Sequence, residues 1–104
     1  MMNINNNWGW KCVLGTFQVE VDGIDYVVKI GLQDIFLGKT ANPVYIRVWY
    51  SADSKFIVGA NLTSFIDPSK EFGIVNERLT QMPPSLRSKC IELSERLEKL
   101  KAFV

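Results

Sequence analysis

Few residues in this chain of 104 have the type and spacing to do chemistry, and the most pointed run is Gln33 to Thr40, QDIFLGKT. It ends in the Gly-Lys-Thr of a phosphate-binding loop, where backbone N–H groups cradle phosphate, Lys reaches it and Thr binds magnesium. Two features depart from that pattern. Its first position is Gln33 where the loop needs Gly, and Ala41-Asn42-Pro43 leads into a strand where a helix should start. Gly38 and Lys39 are therefore expected in a polar turn.

The chain has no histidine, which removes the commonest general base, the Ser-His and Cys-His nucleophile pairs and the commonest zinc ligand. Cys12 and Cys90 are far apart and have no Cys-x-x-Cys partner. Small buried thiols are the expectation, not a redox pair. Asp22, Asp53 and Asp67 are assigned to a turn, a loop and a helix cap. Glu20 and Asp25 face each other on a polar sheet face, where two carboxylates would raise each other's pKa only if buried; a solvated pair is expected. The expectation is a non-enzyme without catalytic residue, metal ligand or cofactor.

The side chains left with binding potential are Tyr45, Arg47 and Trp49, which alternate along one strand, with Lys29 and Ile57 as neighbours and Val27 and Lys55 nearby. Aromatic and cationic residues on an open sheet can stack against and neutralise single-stranded nucleic acid or a nucleotide-like anion. The same types are enriched in protein-interface hot spots. They can also simply pack beneath a loop or the N-terminal arm. A net charge of +1, with Glu20 and Asp25 on the same face, weighs against nucleic acid. The preferred expectation is a non-catalytic interaction or regulatory subunit that binds a protein partner through this face or the stripe of the C-terminal helix, with a binder of single-stranded nucleic acid or a nucleotide-like anion on this face as the alternative.

Two hairpins position these residues. In VLGTFQVEVDGIDYVVKIGL, Asp22-Gly23 joins two alternating runs, the signature of a type I′ turn, which needs positive φ at both central residues. The turn fixes a register that pairs Val21 with Ile24, Val19 with Tyr26, Phe17 with Val28, Gly15 with Ile30 and Val13 with Leu32, all on one core face. Trp8 and Trp10 either extend the first strand or fold over an open end of the core. VYIRVWYSADSKFIVGANL reads as a second hairpin with a loop of three or four residues. The three-residue choice, Ala52 to Ser54, puts Val44, Ile46, Val48 and Tyr50 on one face with Phe56, Val58, Ala60 and Leu62.

Beyond the sheet, Asp67-Pro68 can cap a short helix that carries Phe72, Val75 and Leu79 on one face, with an irregular connection as the alternative. After Pro83-Pro84, the residues Leu86, Cys90, Leu93, Leu97, Leu100 and Val104 step by three and four, as an amphipathic helix requires. The chain is thus expected to be one α+β domain, an antiparallel sheet of about four strands packed against a long C-terminal helix. A polar arm spans residues 1–7, the sheet 8–62, an irregular or short helical segment 63–82 and the helix 83–104. One helix is too narrow to cover the sheet. The rest is left to the middle segment, the two Trp residues, curling of the sheet or a second subunit, and self-association through the helix stripe or a sheet edge follows as an expectation. No run reaches the ~18 apolar residues of a membrane span, and the N-terminal stretch lacks the form of a signal peptide. The expected address is the cytoplasm, and the Asn61-Leu62-Thr63 sequon is expected to be a chance match.

Overall fold

A computed structural model describes residues 10–33 and 43–100. Four strands, β1 (Trp10–Val21), β2 (Ile24–Gln33), β3 (Val44–Tyr50) and β4 (Phe56–Asn61), form one antiparallel sheet in the order β1-β2-β3-β4. Three helices follow: α1 (Leu62–Ile66), α2 (Gly73–Gln81) and α3 (Pro84–Glu98), with a 3-10 turn at Pro68–Lys70 between the first two. This is the α+β class expected from the strand and helix patterns. The phosphate-loop-like run after Gln33, the N-terminal arm, Trp8 and Val104 lie outside the described residues.

The first hairpin turns as its residues dictate, with φ of 54° at Asp22 and 80° at Gly23. The expected pairs hold from Val21–Ile24 to Gly15–Ile30. Beyond Gly15 the pairing departs from the expected register, because Leu14 and Lys11 are extra residues at two β-bulges. Each bulge sets two residues against one and inverts the faces that follow. Val13 therefore lies opposite Gly31, Cys12 takes the place beside Leu32 expected for Val13, and Trp10 lies opposite Gln33.

The second hairpin adopts the longer loop. Tyr50 N–H donates to the Lys55 carbonyl at 2.9 Å around Ser51 to Ser54, and Ser54 takes the left-handed φ of 58°. A bulge at Ile57 restores the expected pairing at Val48–Val58 and Ile46–Ala60. Two side chains exchange faces as a result. Phe56 lies opposite Trp49, away from the core, while Ile57 packs against the core. Leu62 has already left the strand and begins α1, yet stays buried.

The cover over the core face comes from the middle segment as well as from the terminal helix. Phe65 of α1, Leu79 of α2, and Leu86 and Cys90 of α3 are fully buried against Val28, Ile30, Ile46, Val48 and Val58. Asp67 and Pro68 do initiate a helical turn, with the Asp67 carboxylate accepting from Ser69 N–H at 3.2 Å, but that turn is a single 3-10 turn. The Ser69 hydroxyl and N–H hold the Asp67 carboxyl below its usual range. The α3 stripe follows the expected spacing through Leu97, with Leu93 and Leu97 packed against the core, and ends sooner than expected, since Leu100 is exposed. As far as Leu97 the stripe packs against this chain's own core, which leaves Leu100 as its exposed position among the described residues. Among the described residues no helix is long and apolar enough to cross a membrane.

Burial alone pushes the Cys90 thiol from its ordinary 9.0 up to about 12. In the unfolded chain the thiol ionises as pH rises past its ordinary value, while the folded chain keeps the proton. Stability is thus full below that ordinary value and declines above it, by up to about 1.4 kcal/mol per pH unit until the folded thiol titrates. Urea unfolding at about pH 8 and pH 10.5 is expected to show a smaller alkaline loss in Cys90→Ala than in the parent. An equal loss would place the thiol in water.

Candidate functional site

The outer face of the sheet is where the binding candidates were expected, and strand pairing gathers most of them. Lys29 lies opposite Arg47, Val27 opposite Trp49 and Gly31 opposite Tyr45. Ile57 is the exception, turned to the core side by its bulge. The two bulges of β1 add a residue that spacing along β3 does not show. Without them Trp10 would fall two positions beyond Gln33; with them its ring lies over Gly31, where an added Cβ would stand 2.7 Å from a ring carbon.

Trp10 organises this face. Tyr45 meets it edge-on with ring centres 5.5 Å apart, and the Arg47 guanidinium and Lys29 ammonium stand 5.1 Å and 5.8 Å from its centre. The negative face of the indole offsets the repulsion between two cations placed directly across neighbouring strands. Trp49 packs edge-on against Phe56 at 5.7 Å. Trp49 and Lys29 are each only 3 % exposed, and Trp10 is buried with them, while Tyr45 and Arg47 are half-buried. Burial, and then the neighbouring Arg47, hold the Lys29 ammonium below its ordinary pKa. The face is therefore a second packed layer. It is not the open aromatic platform that stacking of bases or docking of a partner onto Trp49 requires.

A different segment leaves large apolar side chains in water. Ile66 at the end of α1, Phe72 just before α2 and Ile74 in its first turn are all exposed, Phe72 to 90 %. Local hydrogen bonds order the backbone that carries them. Asn76 donates from Nδ2 to the Pro68 carbonyl at 2.8 Å, and the Ser64 hydroxyl donates to Glu71 Oε2 at 2.6 Å. Gly73 supplies a φ of 62° at the first position of α2. Phe72 precedes it in extended backbone, with φ −117° and ψ 161°. Sequence periodicity placed Phe72 with Val75 and Leu79 on a buried face. Leu79 is buried and Val75 half-buried, but the helix starts after Phe72 and leaves that ring outside.

Among the described residues no group of three or more His, Cys, Asp or Glu side chains comes together as a metal site. No protein-family model matches the chain, and neither curated proteins nor solved structures give a significant match.

Proposed function

We propose that the protein is a non-catalytic interaction subunit whose contact surface is the segment on which Ile66, Phe72 and Ile74 are exposed, and that a second copy of the chain is the partner. The observation that carries this reading is Phe72, a large apolar side chain left 90 % exposed on an ordered segment. Leaving such a ring in water forgoes on the order of 2 kcal/mol of burial, which an interface recovers. A two-fold contact sets the same patch against itself. The exposed charges around this segment, Asp67, Lys70, Glu77 and Arg78, sum to zero, so no excess of one sign opposes the contact. A cytoplasmic address fits the same reading, since both Cys12 and Cys90 are free thiols.

Light scattering across a concentration series tests this directly. The mass is expected to rise from 11.8 kDa towards twice that value in the parent chain. In Phe72→Glu it is expected to stay at the monomer, with the thermal midpoint unchanged at dilutions where the parent is also monomeric, because the ring contributes no packing within one chain. A parent chain that remains at 11.8 kDa up to millimolar concentration overturns the proposal.

A further inference from the structure

At the turn end of the sheet, β2, β3 and β4 meet the junction of α2 and α3 around a cleft of about 350 Å³. Small-molecule sites span roughly 300 to 1,000 Å³, so this one suits a compact ligand. The Tyr26 and Tyr50 rings form one wall, 5.5 Å apart and tilted by 31°, and Met82 and Leu86 contribute apolar lining. Lys55 and Arg78 stand at the same cleft, both exposed, and no carboxylate of the described residues lines it.

The Arg78 guanidinium is anchored by one nitrogen, which donates to the Ile57 carbonyl at 2.8 Å. That bond fixes the fork while leaving further N–H donors for a second acceptor. The bulge that turns Ile57 towards the core contributes that residue to the same cleft wall. Burial, then Tyr50 and Asp22, push the Tyr26 phenol up, so it keeps its proton as a donor at neutral pH. An open, partly aromatic cleft of mixed polar and apolar lining, with two cations and no acid, matches a ligand with a flat hydrophobic body and one negative end. We infer that this cleft binds a small aromatic carboxylate, its ring beside Tyr26, Tyr50 and Met82 and its carboxylate towards Arg78 and Lys55. None of Ile66, Phe72 and Ile74 lines the cleft, and the inference does not depend on self-association.

The test is a titration with 2-naphthoate and its uncharged analogue 2-naphthamide, followed through the Met82 methyl resonance. The other two methionines are at positions 1 and 2, and the near-isosteric Met82→Leu identifies the signal. A saturable shift is expected with naphthoate, and weaker binding with naphthamide. Lys55→Gln and Arg78→Gln are each expected to weaken naphthoate at least about threefold and to leave naphthamide unchanged. Lys55 is exposed, so its variant keeps the test sound even if loss of the Arg78–Ile57 bond disturbs the fold. Phe72→Glu is expected to bind naphthoate as the parent does, which separates this site from the proposed interface. Equal affinity for the acid and the amide, or no saturable shift at Met82, overturns the inference.

Discussion

Replacing Trp49 by alanine is expected to destabilise the protein by about 3 to 5 kcal/mol, as removal of a buried aromatic side chain does. The indole is 3 % exposed, faces Val27 across the strands and meets Phe56 edge-on at 5.7 Å, so truncation leaves a cavity between partners held by the sheet backbone. At about 4 to 8 °C per kcal/mol for a domain near this size, the thermal midpoint should fall by more than about 12 °C. Phe72→Ala provides the contrast within the same chain. Its ring is 90 % exposed, and at dilutions where the parent is monomeric its removal should change stability by no more than about 0.5 kcal/mol. Similar losses for the two variants would mean that Trp49 belongs to open surface, and would restore the outer sheet face as a binding platform.

The second large effect is expected at Gly31, where the sign is as informative as the size. Glycine inside a strand normally weakens it, so alanine there should be neutral or mildly stabilising. At Gly31 an added Cβ would collide with the Cys12 carbonyl oxygen and stand 2.7 Å and 2.9 Å from Trp10 ring carbons. The carbonyl belongs to the paired strand and cannot withdraw without breaking the ladder. Gly31→Ala is expected to cost about 1 to 3 kcal/mol, the range for forcing extra volume into a packed site, and Gly31→Val more. Because the ring gives way more readily than the strand, tryptophan emission should shift to the red as Trp10 leaves its place. Gly59 supplies the control. The nearest obstacle to a Cβ there is the Tyr45 hydroxyl at 2.8 Å, the end of a rotatable side chain, so Gly59→Ala should cost clearly less. A stabilising Gly31→Ala would refute the seating of Trp10 over this residue.

Both expectations concern features that short-range rules approach from one side only. The Asp22-Gly23 turn was legible because positive φ at two successive residues is a local requirement. The register it imposes holds as far as Gly15–Ile30. The bulges at Leu14, Lys11 and Ile57 were not legible, since each depends on what the opposite strand and the layer above can accommodate. The two bulges of β1 decide that Trp10 reaches Gly31, and the longer second loop with the bulge at Ile57 decides that Phe56 leaves the core and Ile57 enters it. Similarly, the spacing of Val75 and Leu79 was enough to mark a helix. Its start was not, because Gly73 takes a left-handed φ of 62° and places the boundary one residue after Phe72.

The sequence by itself determined the α+β class, the first turn, the core face of Val28, Ile30, Ile46 and Val48, and the stripe of α3 through Leu97. All of these rest on periodicity and on φ preferences, which act within a few residues. Only the tertiary structure decided which faces remain open. Tyr45, Arg47, Trp49 and Lys29 do meet on one face, as their alternation requires, but burial is settled by segments distant in sequence. Trp10 reaches Gly31 only through two bulges, while Phe72 loses its cover through the start of one helix. Alternation assigns a side chain to a face; whether that face meets water depends on what the rest of the chain lays over it.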